Sequence, residues 1–238
     1  MRCECGEELK RIESTMHDCT VCGKYTNVAY ACTNGHSMCA ECVEPHIRAR
    51  VKEICEASES KDPRSILDSL LSDDLISERA LRYHLIIGPA LVTAYRNSGG
   101  DVDLDKALDE IMRRGTMIPA KACGHAGNCG SATSAGIFFS VIADTHPLKE
   151  ENWGEVHRLT GKCLMDLGSI GGPRCCNRGA NIAMRNAVDA VKDVMGIEME
   201  LNDAECHFKN DVCIGDRCPF HSKSRSNEYI QQTRDTNG

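Results

Sequence analysis

Eight residues in the last third of the chain mark the start of a long helix: Gly171-Gly172-Pro173-Arg174-Cys175-Cys176-Asn177-Arg178. A glycine pair allows a tight turn, and proline suits the first position of a helix because no intrahelical partner is lost there. The two cysteines and the two arginines are therefore predicted to lie in the first helical turn. Free backbone N–H groups and the helix dipole at such a position lower the pKa of a thiol and attract anions.

A second segment, residues 121–131, repeats this arrangement. It contains Cys123 and Cys129 among glycines, and an apolar helical pattern follows it. Two thiol-bearing helix starts in one domain predict a metal or redox site between them.

The composition narrows the class of protein. The chain has 238 residues and 16 cysteines, most of them in short metal-ligand spacings rather than in the scattered pattern of a secreted disulfide framework. The first ten residues are polar and do not read as a signal peptide, so a reducing cytoplasmic location is expected. The net charge of −7 argues against nucleic-acid binding, and the longest apolar runs are too short to cross a membrane.

The N-terminal segment contains four pairs of metal-ligand residues. They are Cys3 and Cys5, Cys19 and Cys22, Cys32 and His36, and Cys39 and Cys42. Because tetrahedral zinc takes four ligands and a tight turn can present two of them, eight ligands predict two zinc ions.

The central spacing, Cys19-x2-Cys22-x9-Cys32-x3-His36-x2-Cys39-x2-Cys42, resembles the first six ligands of RING-type cross-brace fingers. The closing Cys-x2-Cys pair of a RING is missing here, and the upstream pair Cys3 and Cys5 can replace it. The cross-brace order then implies one zinc on Cys19, Cys22, Cys39 and Cys42, and the other on Cys3, Cys5, Cys32 and His36. The departure makes a ubiquitin-ligase-type adaptor the least favoured function, and a structural or docking module that binds a protein partner the favoured one.

Helical periodicity and helix-capping residues dominate the remainder of the chain. Asp103 and Gly196, for example, are residue types that begin and end helices. We predict a mostly α fold: a small N-terminal two-zinc module of the treble-clef or RING-like type, then a helical domain with a C-terminal cysteine loop. The expected domains are residues 1–46, residues 47–221 and a disordered tail at 222–238.

The helical domain contains a third set of candidate ligands, which are Cys123, Cys129, Cys175, Cys176, Cys206, Cys213, Cys218 and His221. Three thiols of the C-terminal loop and a fourth from elsewhere could hold a [4Fe–4S] cluster, and Cys206, Cys213, Cys218 and His221 could equally form a Cys3His zinc site. Adjacent side chains on a helix diverge by about 100°, so one of Cys175 and Cys176 is expected to ligate. The other is either a reactive thiol, as a helix start with nearby arginines favours, or a small buried residue. Arg174 and Arg178 are candidates for binding the anionic group of a small-molecule substrate.

Several motifs together resemble an uncharacterised cysteine-rich family of methanogens and other anaerobes. They are Gly-Gly-Pro-Arg-Cys-Cys at 171–176, Cys-Gly-His-Ala-Gly-Asn-Cys-Gly at 123–130, Glu205-Cys206-His207-Phe208 and Cys218-Pro219-Phe220. The likeness covers about residues 60–221, and some members are fused to a methyltransferase domain that depends on S-adenosylmethionine. It implies an anaerobic context, which favours iron–sulfur over zinc in the helical domain, but it implies no particular activity. No methyltransferase domain is expected here, since no alternation of strands and helices is visible.

Two functions from different classes remain open. The first is an iron–sulfur or thiol-dependent enzyme, or an accessory factor, for sulfur, methyl or electron transfer in anaerobic metabolism. The second is a non-catalytic zinc-binding scaffold that docks a partner through its N-terminal module. The sequence leaves open whether the protein is an enzyme.

Overall fold

The computed structural model describes residues 3–77, 83–202, 206 and 213–221. These residues are mostly helical, with a small strand region at the N-terminus, which confirms the predicted fold class. The predicted disordered tail, residues 222–238, lies outside the described residues. Within the described part of the chain, no helix combines the length and the apolar character that crossing a membrane requires.

The chain divides into two compact units, and each unit is built from two separate stretches of the sequence. Unit 1 contains residues 1–57 and 69–80, and unit 2 contains residues 58–68 and 81–238. The helix that joins them in sequence, α2, spans Pro63–Ser72.

Unit 1 begins with a three-stranded antiparallel sheet in the order β1-β2-β3. Its strands are β1 (Lys10–Asp18), β2 (Tyr25–Ala31) and β3 (Ser37–Cys39), and helices α1 (Ala40–Ala57) and α3 (Asp74–Ser77) complete the unit. A small apolar cluster at one end of the sheet consists of Cys19, Val28 and Cys39, with Ile12 and Cys42 packed against it. The sheet therefore places cysteines, rather than large aliphatic side chains, at the centre of this cluster.

Helix α1 begins before Pro45, which lies inside it. Its buried face consists of Val43, Ile47, Val51 and Cys55, which are four residues apart, so the apolar stripe starts before the proline. The helix continues without interruption through residue 46, where we predicted a domain boundary.

Unit 2 is a helical bundle around one central helix, α7 (Gly130–Ile142). The other long helices are α4 (Tyr83–Asn97), α5 (Leu104–Gly115), α8 (Trp153–Ile170) and α9 (Cys176–Met195), and a four-residue helix, α6 (Ala122–His125), precedes α7. Each of the four long helices packs against α7. Phe138 and Phe139 of α7 are fully buried, and together with Leu91, Leu108 and Met184 they belong to the largest buried side chains of the protein.

The helix ends follow the capping residues in the sequence. The side chain of Asp103 accepts a hydrogen bond from the backbone N–H of Lys106 at 3.2 Å, as expected of an N-cap. Gly196 ends α9 in the left-handed conformation, with φ of 69°. A local signal therefore sets the C-terminal end of α9.

Candidate metal and thiol sites

The first group of candidate ligands consists of Cys19, Cys22, Cys39 and Cys42. Their four Sγ atoms all lie within 4.8 Å of one another. The Cys19–Cys42 distance is 3.8 Å and the Cys22–Cys39 distance is 3.9 Å. Since Zn–S bonds of about 2.3 Å in a tetrahedron imply sulfur–sulfur distances of about 3.8 Å, the group has the dimensions of a zinc site.

The second group consists of Cys3, Cys5, Cys32 and His36, again within 4.8 Å of one another. The Nδ1 atom of His36 lies 3.4 Å from the Sγ of Cys3 and 3.5 Å from the Sγ of Cys32. The Sγ atoms of Cys5 and Cys32 are 3.7 Å apart. The structure thus brings together the eight predicted ligands, divided between two groups as the cross-brace order implied.

Three similar turns present these ligands. In each turn the carbonyl of a cysteine accepts a hydrogen bond from the N–H of a nearby glycine: Cys3 from Gly6, Cys19 from Gly23, and Cys32 from Gly35. All three glycines have positive φ, between 69° and 89°, which other residues adopt only with strain. The glycines that follow the cysteines in the sequence therefore shape the turns that bring the ligands together.

Backbone groups also act on the sulfur atoms. Burial raises the pKa of Cys19, but hydrogen bonds from the backbone N–H groups of Cys39, Cys22 and Val21 outweigh it and lower the pKa to about 6. One of these contacts, from the N–H of Cys39, is 3.4 Å long. The pKa of Cys42 is raised, first by burial and then by hydrogen bonds with neighbouring thiols. Four thiolates this close repel one another unless a cation lies between them.

In unit 2, four cysteines from two separate segments meet at the start of α9. Cys129 is the N-cap of α7, Cys175 is the N-cap of α9, Cys176 is the first residue of α9, and Cys123 lies in α6. All four line a cavity of about 200 Å³. A larger adjoining cavity, of about 460 Å³, is also lined by Cys123, Cys129 and Cys175. We call the larger one the α9 cavity.

Helix α9 begins at Cys176, so the prediction that Pro173 is its first residue is wrong. Cys175 is extended, with φ of −137° and ψ of 113°, and its Sγ accepts the backbone N–H of Arg178 at 3.5 Å. A thiol therefore occupies the capping position, and Pro173 and Arg174 lie before the helix.

The guanidinium of Arg178 holds the preceding turn in place. Its Nη2 donates hydrogen bonds to the carbonyl oxygens of Gly171 at 2.8 Å and Pro173 at 2.6 Å. The side chain is only 4% exposed. Among the described residues it has no carboxylate partner, and its Nε is buried without a hydrogen bond. Arg174, in contrast, is exposed and lines both cavities.

Cysteines of the C-terminal loop approach the same helix from another side. The Sγ of Cys206 accepts a hydrogen bond from Nδ2 of Asn177 at 3.2 Å. Cys218 is buried in a cluster with Ile182 and Phe220, against which Cys206 packs. Three segments of unit 2 therefore contribute thiols around the first turn of α9.

The orientation of the Asn177 amide is set by a cation on its other side. Its Oδ1 accepts a hydrogen bond from Nη1 of Arg64 at 3.0 Å, and a guanidinium can only donate. The Nδ2 group must then face Cys206, whose sulfur acts as the acceptor. Thiolates and metal-bound thiolates are the better sulfur acceptors, so the contact suits a ligand sulfur.

The remaining loop ligands are more peripheral. Cys213 is exposed, and its Sγ accepts the N–H of Gly215 at 3.5 Å. The Nδ1 of His221 lies 3.4 Å from Oδ1 of Asp216. In the part of the chain that the structure describes, only the two N-terminal groups pack three or more ligand atoms within 4.8 Å. A [4Fe–4S] cluster holds its thiolates farther apart than a single zinc ion does, so a spacing of 4.8 Å does not test for such a cluster. A metal in unit 2 therefore stays a prediction.

Sequence reasoning missed three residues of this region: Arg64, Lys121 and Asn177. Asn177 is part of the motif at residues 171–178, and its position next to Cys176 could have marked it as a residue of the site. Lys121 lines both cavities from the start of the other thiol segment. Arg64 is separated from Asn177 by 113 residues, so no local pattern could have connected them.

Comparison with known proteins gives one match. Residues 51–221 match the model of a family described as a family of unknown function (DUF5714). No curated protein and no solved structure matches the chain. The matched segment contains all the thiols around α9 and begins after the eight N-terminal ligands.

Proposed function

The chain belongs to the family of unknown function DUF5714, and we propose that it is a metal-binding protein whose functional centre is the thiol-rich start of α9. In this proposal two zinc ions stabilise the N-terminal module. The centre in unit 2 holds an iron–sulfur cluster or acts through a reactive thiol, as an enzyme or accessory factor for sulfur, methyl or electron transfer. The observation that carries the proposal is that thiols from two segments, residues 123–129 and 175–176, line one open cavity at the start of α9. Thiols of a third segment contact the same helix beside it.

The two kinds of site differ in what they leave accessible. Each N-terminal group offers four ligands to one ion, and closed four-ligand zinc sites are structural. Three thiols of unit 2, those of Cys123, Cys129 and Cys175, in contrast border a cavity that can admit a small molecule. Chemistry on a substrate is therefore assigned to unit 2 rather than to unit 1.

The adjacent cysteines have different surroundings, which supports separate roles. Cys175 lines both cavities, whereas Cys176 lines the smaller cavity but not the α9 cavity. Burial raises the pKa of Cys176, while the nearby charge of Arg174 opposes this effect. We assign the reactive thiol to Cys175, because it reaches the α9 cavity, and the ligand to Cys176.

Metal and sulfide analysis of anaerobically purified protein tests the proposal. We expect two zinc ions per chain together with iron, acid-labile sulfide and a brown colour. Colourless protein that contains zinc alone would refute the iron–sulfur form of the proposal.

Single substitutions test the division between the two cysteines. We expect Cys176→Ser to lose the metal of unit 2, and Cys175→Ser to keep it while losing the most reactive thiol. Cys163→Ser serves as the control, because Cys163 is fully buried in α8 and lines neither cavity. Equal metal loss in both cavity variants would contradict the division.

The second candidate is a non-catalytic zinc-binding scaffold. It is favoured by the completeness of the two N-terminal groups and by strand β1, of which all but one residue is exposed. An exposed edge strand can pair with a strand of a partner protein. Three zinc ions and no iron, with unreactive thiols at α9, would favour this function over the first.

A further inference from the structure

We infer that the α9 cavity binds a small organic anion whose charged group contacts Lys121 and Arg174. The inference deepens the proposed function, since it names the class of substrate for the same centre. It rests on the charge, the shape and the buried polar groups of the cavity.

The charged residues that line the cavity are all basic. They are Lys121, Arg174 and Arg178, with His125 beside them, and the described residues of the lining include no aspartate or glutamate. The whole chain, in contrast, has 35 acidic and 28 basic residues. A basic cavity in an acidic protein concentrates anions and repels cations.

Lys121 and Arg174 differ from surface cations that are held in ion pairs. Lys106 pairs with Asp103 at 2.7 Å and Arg113 with Glu110 at 2.7 Å. Within residues 3–77, 83–202, 206 and 213–221, neither Lys121 nor Arg174 forms an ion pair. Both side chains are exposed at the cavity, so both are available to a ligand.

The backbone at Lys121 is held in a costly conformation. Its φ is 64° and its ψ is 11°, in the left-handed region that residues other than glycine seldom adopt. Such conformations persist where the surrounding structure requires them, and they concentrate at functional sites. Here the conformation places a lysine, rather than a glycine, at the point where the chain enters α6 beside the cavity.

Arg178 supplies a second, independent indication of an anion. Its guanidinium is buried, lines the cavity, and has an Nε without a hydrogen-bond partner in the described structure. A buried charge is costly unless an opposite charge lies near it. Its two hydrogen bonds go to neutral carbonyls of the turn. Its charge also acts on the buried thiol of Cys218, but no carboxylate of the described residues pairs with it, and an anion in the cavity would supply that charge.

The remainder of the lining indicates a ligand with an apolar body. Leu164, Leu167 and Pro173 contribute an apolar wall, and the volume is about 460 Å³. This volume is within the range of small-molecule sites, roughly 300–1,000 Å³, and exceeds what a bare inorganic anion needs. The sulfur-bearing residues Cys123, Cys129 and Cys175 line the same space, so the bound molecule would contact thiols.

Calorimetric titration of the full-length, anaerobically purified protein with four probes tests the inference. Hexanoate and hexyl phosphate have both a charge and an apolar chain, hexanol lacks the charge, and inorganic phosphate lacks the chain. We expect at least one of the two organic anions to bind at least roughly tenfold more tightly than hexanol and inorganic phosphate, because charge-assisted hydrogen bonds add to apolar contact. The comparison of hexanoate with hexyl phosphate identifies the preferred head group. Equal binding of hexanol, or no binding of either organic anion, would overturn the inference.

A matched pair of double variants locates the binding site. Lys121→Gln with Arg174→Gln removes two positive charges from the cavity, and Lys106→Gln with Arg113→Gln removes two from the exposed face of α5. We expect the first variant to bind the preferred anion roughly tenfold or more weakly and the second to bind it like the wild type. An equal loss in both variants would mean a general charge effect and would contradict the assigned site.

The same samples separate this inference from the proposed function. Metal and sulfide content is measured on each sample before titration. Anion binding by protein without iron would sustain the inference while the iron–sulfur proposal fails. Iron-containing protein that binds neither organic anion would refute the inference alone.

Discussion

At the scale of single residues, Arg178 shows how a charged side chain can build a turn. Its Nη2 bridges two carbonyls that are two residues apart in sequence, Gly171 and Pro173. Both hydrogen bonds come from one nitrogen, whose two N–H bonds are fixed in the guanidinium plane and which lies one bond farther from the backbone than the Nζ of a lysine. The turn before α9, and with it one wall of the cavity, therefore depends on the shape of the arginine as well as on its charge.

Replacement of Arg178 by lysine tests this role. We expect Arg178→Lys to lower the free energy of unfolding by about 2 kcal/mol, because the shorter side chain loses at least one of the two charge-assisted hydrogen bonds to these carbonyls. Arg174→Lys is the matched control: Arg174 is exposed, and surface substitutions of this kind change stability by less than about 0.5 kcal/mol. Urea denaturation of both variants measures the difference. Equal stability of the two would show that charge alone is enough at position 178.

The sequence could not have separated the two arginines. Both stand in one motif of eight residues, and both have the composition of an anion site at a helix start. What distinguishes them is burial, which depends on α8 and on the turn from Gly171 to Pro173. Arginine is mostly exposed in proteins, so a fully buried one carries no local signal.

At the scale of elements, close packing of helices depends on small residues at the crossings. A Cβ at Gly88 of α4 would lie 2.5 Å from Cγ2 of Ile111 in α5 and 3.3 Å from Oγ of Ser134 in α7. The backbone N–H of Gly88 also donates to that Ser134 hydroxyl at 3.0 Å. The glycine therefore lets α4 approach two neighbours at once.

Gly88→Ala is expected to destabilise unit 2 by about 1–3 kcal/mol, because the buried Ile111 methyl cannot move aside without disturbing the core. Gly161→Ala in α8 is the matched control, since nothing lies within 4 Å of a Cβ at that position. There the same change should stabilise the protein by about 0.5–1 kcal/mol through helix propensity. Urea unfolding of both variants gives the sign of each effect, and a loss of stability in both would contradict the packing argument.

Helix α5 contains an acidic residue whose titration depends on two arginines. Glu110 accepts hydrogen bonds from Arg113 and Arg114, both at 2.7 Å, and these lower its pKa from 4.5 to about 2. Since the folded pKa is the lower one, the contribution to stability is complete above pH 4.5 and is lost as the pH falls towards 2. The side chain is 35% exposed, so solvent screening limits the contribution to about 1 kcal/mol.

We expect the carboxyl carbon of Glu110 to titrate near pH 2 in an NMR experiment on the wild-type protein. In the Arg113→Gln, Arg114→Gln double variant the midpoint should return towards 4.5, since both donors are removed. The stability difference between wild type and Glu110→Gln should shrink between pH 4.5 and 2. An unchanged midpoint in the double variant would show that the two arginines are not the cause.

The elements differ in how far the sequence predicts them. The start of α5 follows from Asp103 and the C-terminal end of α9 follows from Gly196, because capping depends on local backbone geometry. Strand β1, in contrast, is almost entirely exposed and has no alternation of apolar and polar residues. Its pairing with β2 is a tertiary interaction, and no local pattern in Lys10–Asp18 predicts it.

At the scale of the whole molecule, the two units have cores of different kinds. In the metal-ligand end of unit 1, two of the three buried members of the apolar cluster, Cys19 and Cys39, are themselves candidate ligands. Unit 2 instead buries large side chains such as Phe138 and Phe139. The ligand spacing predicted the four pairs of N-terminal ligands, because tight turns fix such pairs locally, and the resemblance to a cross-brace order predicted how the pairs combine. The meeting of thiols around α9 depends on how helices pack, and spacing could not give it.

This difference predicts that removal of the proposed zinc ions opens the N-terminal module while the helical core of unit 2 stays closed. Metal binding supplies most of the folding energy where little apolar surface is buried. Cys163 reports on the other unit: it is fully buried, and burial raises its pKa to about 12, so it should not react while unit 2 is folded. We expect a zinc chelator followed by iodoacetamide at neutral pH to label Cys19 and Cys39 and to leave Cys163 unlabelled, as measured by mass spectrometry of peptides. Untreated protein gives the labelling expected when both units are folded, and protein unfolded in guanidinium gives the labelling expected when all cysteines are accessible. Labelling of Cys163 as fast as Cys19 would contradict separate cores, and protection of Cys19 after zinc removal would show that the apolar contacts of unit 1 hold the module without metal.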